Sequence, residues 1–542
     1  MPTGGDKDQT GPRLDSLRYS TPNLSTHFKE KEVILTFDEW IKLSNANTEI
    51  IISPPLQNKP KIKVKHKSVV LVFDEILKDS TTYTINYGKA IRDITESNYA
   101  KDMTFVFSTG EVIDSLELSG KIVDAKNNQA KKDVLVMLYD NLADSTPIKE
   151  RPYYFARTDE QGKFKIRHIK SDTFRIFALE DMNKNYLYDL ANESIAFFDS
   201  SFTVDDSVQP YIQMPMFKET ETTQILPVQI EHFACVRIGF NQHIDTVYYD
   251  WIGEEDGVVY AEMGQDSMRI YFANLKGDSE VQLVLWDSTG MNDTLDLDFG
   301  SSVEGIKALT NLQVVREETR VANTTANQGD SNQISKDFVE QHPLKPLIIK
   351  WNRPFRQIDT SKIQILETAN QTIIVPSFKL NPEGQTRLKM HYAWKPKLDY
   401  EFVAFPNAVT DIYGLSNRDT IRQKVKVNSL EDYGSILVHI ENTDSTAVYI
   451  AQLMPAGREN QVLETKVLRG KSSYELSYLN YMSQDYMVRL ITDENKNGKW
   501  DTGAYLSRRQ PERIFDSKVI KVRANWDNEM TMDLNPEEER AQ

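Results

Sequence analysis

Of the 542 residues only one is a cysteine, Cys235. Neither an intrachain disulfide nor a cysteine metal cluster can form. Cys235 lies in the apolar run Phe233 to Phe240 and reads as a buried strand residue. Nowhere does the chain string together the ~18 apolar residues that a membrane helix needs. The amino terminus, Met1 to Pro12, is polar and lacks a secretion-signal pattern, so any export signal would have been removed from this version. Positive charge is in short supply: 64 Lys and Arg face 80 Asp and Glu, a net charge of −16. Such a chain repels phosphate backbones, which argues against nucleic acid as a partner. The eight histidines (His27, His66, His168, His232, His243, His342, His391, His439) include no His-x-His or His-x-x-x-His pair, so sequence-local zinc spacing is missing. There is no Gly-x-Ser-x-Gly elbow and no Walker-type phosphate loop. The chain offers no catalytic constellation, and the expectation is a protein that is not an enzyme.

What is present is β-structure. Hydrophobic residues make up 39%, enough for real cores and too many for global disorder. Short runs of alternating apolar residues recur about every ten residues with no long helix between them, which predicts serial β-sandwiches, an all-β fold class. The expected organisation is a polar spacer over 1–12, a first sandwich over 13–110 and a smaller one over 115–218. A central one over 221–310 and a linker over 311–337 follow. Then come a sandwich over 338–427, another over 428–535 and a charged tail over 536–542. A short helical turn is expected at 38–42.

The chain repeats itself. Phe37 and Trp351, each in an apolar strand, are 314 residues apart; Asp93 and Asp411, 318; Phe164 and Tyr474, 310; Asp181 and Asp493, 312. Four landmarks in one order at nearly one offset predict a two-module unit present twice, 11–218 and 338–535.

Within that repeat, Asp181, Asn183, Asn185 and Asp189 match Asp493, Asn495, Asn497 and Asp501. Oxygen-bearing side chains at positions 1, 3, 5 and 9, with the carbonyls of Leu187 and Lys499 at position 7, have the spacing of a calcium loop. Ca2+ is the expected ion. Gly498 supplies the sharp turn at position 6 of the second ladder, where the first has Tyr186, so the second loop is expected to bind calcium more tightly than the first. Neither has Glu at position 12: Asn192 stands there in the first, with Glu193 one place on, and Tyr505 lies next to it in the second. The competing reading is a β-connection whose Asp and Asn cap their own backbone. Asp38–Glu39 and Asp74–Glu75 sit at strand ends, where solvated turns are the ordinary explanation. Tyr248, Tyr249 and Trp251 are the expected interface, because successive strand residues cannot all face one core.

The segment Val33 to Glu39, with Ile50 to Pro55, Tyr83 to Tyr87 and Phe105 to Gly110, resembles the bacterial Ig-like domain found in S-layer proteins. Residues 115–200, with Gly120 and Asp159-x-x-Gly162-x-Phe164, resemble the carboxypeptidase-regulatory, transthyretin-like sandwich. Their succession is similar to a group of Bacteroidota Ig-like-domain envelope lipoproteins, in which a segment like Pro2-Thr-Gly-Gly5-Asp-Lys-Asp8 follows the lipidated cysteine. The resemblance implies an outer-membrane lipoprotein, periplasmic or cell-surface, anchored by a lipid not present in this sequence. Its partners would be other envelope proteins, among them an outer-membrane β-barrel, and it would serve as a protein-interaction scaffold or as an accessory subunit of an assembly or export machine. A surface glycan-binding or glycan-processing protein is the alternative.

Overall fold

A computed structural model describes residues 8–534, except 102, 208–210, 220–221, 243, 245, 253–258, 265, 276–277, 316–337, 369–371, 375–378, 384 and 459–460. Most of the expected spacer (1–7), most of the expected linker (316–337), the tail and His243 lie outside the described residues. The chain divides into two compact units, 1–220 with 443–472 and 487–518, and 221–442 with 473–486 and 519–542. No helix of the described residues is long and apolar enough to cross a membrane.

The fold is serial β-sandwich modules of Ig-like type. In the first module Glu32–Thr36, Ser68–Val72 and Lys61–Lys65 form one antiparallel sheet, and Ile51–Ser53, Thr82–Asn86 and Thr104–Ser108 another. A short ladder joins Ile41–Leu43 to Ile91–Asp93. Alternation sends Val33, Leu35, Leu71, Tyr83, Ile85, Phe105 and Phe107 into one core. The helical turn expected at 38–42 is absent; helix is confined there to Ala46–Glu49, and Ile41–Leu43 is extended.

The second Ig-like copy has the same strand order. Leu347–Trp351, Arg387–His391 and Lys379–Glu383 make one sheet. Ile363–Glu367, Asp399–Ala404 and Ile421–Val427 make the other, and Phe355–Ile358 pairs with Val409–Asp411. Its first strand is Val314–Val315, antiparallel to Leu347–Trp351, where the first copy has the single bridge Leu14 to Phe37. The boundary drawn at 338 is therefore corrected. Residues 314–315 belong to this sheet, with Leu312 buried in its core and Val314 packed against it; an edge ladder of two paired residues is too short to stand out by periodicity.

Residues 115–218 form a three-stranded sheet, Lys163–Ile169, Leu116–Asp124 and Ile212–Met216, the last parallel to the second. A five-stranded sheet completes the module: Tyr154–Arg157, Leu135–Tyr139, Asp172–Leu179 and Ile195–Phe197, with Phe202–Val204 also on Asp172–Leu179. Residues 433–533 repeat both sheets in the same order, including the parallel pair Tyr433–Glu441 and Asp527–Asp533. Phe164 pairs with Gly120, itself opposite Ile212; in the later copy Tyr474 pairs with Ile440, opposite Met532, and Leu476 with Val438, opposite Met530. A Cβ on Gly120 would overlap the Phe164 ring and the Ile212 carbonyl, so the close approach there requires a bare backbone. Asp159 Oδ1 accepts the amides of Gln161 and Lys163 while Gly162 takes φ +72°, which closes the turn into strand Lys163–Ile169.

The central module, 222–308, packs a four-stranded sheet (Gln229–His232, Cys235–Gly239, Ser267–Phe272, Val259–Met263) and a three-stranded one (Tyr248–Ile252, Asp278–Trp286, Asn292–Ser301) around Val236, Ile270, Leu283 and Leu285. Cys235 is buried and free, as expected, and burial pushes its thiol up to about 12, so it stays protonated.

Candidate functional site: two Asx loops and an outward aromatic pair

Both ladders fold into the same loop, each following a buried strand, Asp172–Leu179 and Asp485–Thr492. Asp181 accepts the amides of Asn185 (3.2 Å) and Tyr186 (3.0 Å), and Asp493 those of Asn497 (3.0 Å) and Gly498 (3.0 Å). The carboxamides of Asn183 and Asn185 donate to Asp189 at 3.0 and 2.7 Å, and those of Asn495 and Asn497 to Asp501, both at 2.6 Å. Asn185 Oδ1 accepts Leu187 N and Asn497 Oδ1 accepts Lys499 N. The structure therefore brings together all eight side chains named from the sequence, four around each loop.

The two loops do not differ at position 6 as their sequences suggest. Gly498 has φ +82° and Tyr186 φ +67°, while Lys184 and Lys496 match at 61° and 62°. Tyr186 holds a conformation that costs a side-chain-bearing residue about 1 kcal/mol or more. Its ring is buried and its hydroxyl donates to Thr48 O at 2.8 Å, contacts that offset the cost.

Each loop is closed from below by a glutamate. Glu193, 0% exposed, accepts the amides of Met182, Asp189 and Leu190 at 3.1–3.2 Å. Glu512 accepts those of Glu494 and Asp501, both at 2.9 Å, and burial raises its carboxyl above the usual range. The two carboxylates thus reach positions 2 and 9 of their loops alike. Both oxygens of Glu193 are engaged by backbone, which makes it a strut rather than the ligand one place beyond position 12. Sequence spacing missed Glu512, because three residues separate Asp189 from Glu193 but ten separate Asp501 from Glu512. The available signal was Glu-x-Ile at the start of the next strand, Glu193-Ser-Ile195 and Glu512-Arg-Ile514.

The ten-residue excursion, 502–511, is an arm within the first unit. Tyr505 enters a cage of Phe177, Tyr188 and Phe197, with ring centroids 5.9, 5.9 and 5.5 Å away. Its amide donates to Glu219, which also accepts the Tyr188 hydroxyl, and its own hydroxyl donates to Asp144 O. Thr502 and Gln510 hold the two ends of the arm to Lys218 O and Phe197 O. The residue beside position 12 of the second ladder is therefore a packing anchor on module 115–218.

Among the described residues no three His, Cys, Asp or Glu side chains gather to hold a metal. Each loop instead offers two carboxylates and two carboxamides. This all-oxygen set fits a hard cation such as Ca2+ once the amide oxygens turn inward. Of the other acids raised from the sequence, Asp38 accepts Arg13 N, Glu75 accepts Gln57 N and Asn58 N, and Asp74 pairs with Lys61.

The expected interface is corrected. Strand Tyr248–Ile252 alternates, so Tyr249 and Trp251 pack against the central core, Trp251 edge-on to Phe272. Only Tyr248 of the three faces outward, 53% exposed, and it stacks on its cross-strand neighbour Trp286, 39% exposed, with centroids 6.0 Å apart. Asp250, Ile252, Gln282, Asn292 and Asp296 are exposed on the same strands. Replacing Tyr248 or Trp286 by Ala is expected to shift stability by under about 1 kcal/mol, whereas Trp251→Ala should cost about 3 kcal/mol; urea unfolding separates the two.

No curated protein matches the chain. Similar solved structures include a tandem from titin (8% identity, 57% of this chain and 99% of that one, TM-score 0.12). The S-layer protein SbsC is another (10% identity, 94% and 67%, TM-score 0.16). A third is Bacteroides ovatus SGBP-B in complex with a mixed-linkage heptasaccharide (8% identity, 76% and 91%, TM-score 0.18). At such scores the likeness carries no argument about function. Residues 8–109 match the bacterial Ig-like domain family, and the first module is of that type.

Proposed function

We propose that this protein is a non-enzymatic, modular scaffold of the bacterial cell envelope that presents sandwich surfaces to other envelope proteins. Attachment to the outer membrane through a lipid and service to a β-barrel assembly or export machine are the narrower form of this reading. The observation that carries it is the Tyr248–Trp286 pair on the central module, which has no second copy in the chain. Paired aromatics left outward on a sheet face are the kind of anchor that interface energetics concentrate on. Crosslinking from position 248 in native membranes, followed by identification of the captured protein, tests the reading. Capture of a single β-barrel or envelope partner, lost on Trp286→Ala, supports it; a crosslinking pattern unchanged by Trp286→Ala overturns it.

The same pair favours a second reading, glycan binding. Stacked aromatic rings beside exposed Asp250, Asn292 and Asp296 offer apolar and hydrogen-bonding contacts to a sugar. Affinity electrophoresis through soluble polysaccharides, with Tyr248→Ala and Trp286→Ala as controls, decides it.

The two Asx loops are proposed as Ca2+ sites, with Asp493, Asn495, Asn497, Asp501 and the Lys499 carbonyl in one and Asp181, Asn183, Asn185, Asp189 and the Leu187 carbonyl in the other. Their matched backbone supports comparable affinities. Calorimetry on the full chain is expected to show heat that Asp501→Ala and Asp189→Ala each reduce by about half, and chelation should lower Tm. No heat at millimolar calcium would leave turns alone.

A further inference from the structure

We infer that the hairpin 59–67 and Trp40 form a docking surface for an anionic lipid bilayer, independent of any lipid anchor and of the scaffold reading. The segment Lys59-Pro-Lys-Ile-Lys-Val-Lys-His-Lys67 holds five lysines and no acid, in a chain whose net charge is −16. Strand Lys61–Lys65 is the outer strand of its sheet, bonded on one side only, to Ser68–Val72. Ile62 leans on the core, so strand alternation sets Lys61, Lys63 and Lys65 on the opposite, exposed face at intervals of about 7 Å.

Among the described residues Asp74 is the acid that ion-pairs with this row, with Lys61 at 2.8 Å; Glu75 accepts the amides of Gln57 and Asn58 and Asp38 that of Arg13, without an ion pair to a lysine. The Lys67 ammonium donates to Asp38 O. Among the described residues no carboxylate pairs with Lys59, Lys63 or Lys65. At the hairpin turn, His66 (φ 58°) lies against Trp40, ring centroids 5.8 Å apart, and Trp40 is 55% exposed. A lysine row alone would suit any polyanion. An exposed tryptophan at its end adds the amphipathic ring that settles at headgroup depth, and that combination singles out a membrane. The lysine edge also keeps this open strand from pairing with another chain, and the two roles are compatible.

Each lysine near an anionic surface is worth about fivefold in affinity. The full chain should therefore sediment with mixed phosphatidylcholine–phosphatidylglycerol vesicles at low salt, but not with phosphatidylcholine alone. Rising salt should release it. The triple variant Lys59→Gln, Lys63→Gln, Lys65→Gln should bind about a hundredfold more weakly, Trp40→Ala should bind more weakly at equal charge, and both should melt as the parent does. Equal vesicle binding by parent and triple variant would overturn the proposal. So would retention on immobilised polyglutamate without vesicle binding, which would assign the ridge to an acidic protein partner.

Discussion

Replacing Tyr505 by alanine is expected to destabilise the first unit by about 3–5 kcal/mol, the range for removing a large buried aromatic. Tyr505 sits among Phe177, Tyr188 and Phe197 in edge-on contacts, and its backbone amide and hydroxyl are both bonded. Truncation opens a cavity bounded by three rings and removes the hydroxyl bond to Asp144 O, while the backbone amide keeps its bond to Glu219. Tyr505→Phe keeps the ring and loses only the bond to Asp144 O, so about 1 kcal/mol is expected. Urea unfolding followed by tyrosine absorbance distinguishes the two. A Tyr505→Ala loss below that of Tyr505→Phe would show that arm 502–511 does not pack in solution as described.

The second large effect is expected at Glu193. Its two carboxylate oxygens take three backbone amides from one loop while fully buried, so Glu193→Ala strands three donors where water is scarce. An unsatisfied buried donor costs about 1–3 kcal/mol, and partial rehydration recovers some of it, so about 3 kcal/mol or more is expected. Glu193→Gln should lose less, since one acceptor oxygen survives. Hydrogen exchange gives a local reading: the amides of Met182, Asp189 and Leu190 should exchange faster in Glu193→Ala, while those of strand Asp172–Leu179 hold. Unchanged protection at all three would remove Glu193 from its role as strut. Glu512→Ala should loosen the second loop in the same way through Glu494 and Asp501.

The repeat offset, the β-class and the position of both ladders could be read from residues alone, because they rest on local periods. Alternation of two per strand fixes which residues can share a face, and Asp-x-Asn-x-Asn is a chain-local pattern whose Asx turns close within the loop that carries it. The same local logic misled where a partner from another strand decides. Sequence could say that Tyr248, Tyr249 and Trp251 cannot all face one side, but not which side meets a second sheet. Pairing of Tyr248 with Trp286 and packing of Trp251 on Phe272 settled that. Gly at position 6 suggested a difference between the loops, yet tertiary contacts of the Tyr186 ring and hydroxyl hold a tyrosine in the same left-handed turn. Glu512 was hidden by seven extra residues that exist to carry Tyr505 into a neighbouring module, a use visible only when distant segments meet. Composition and spacing determined the modules and their duplication, since these follow from short-range alternation and turn chemistry. Which carboxylates are struts, which aromatics are core and which lysines of the edge row find an acid were decided by tertiary structure, because burial and hydrogen-bond partnership belong to pairs of residues far apart in the chain.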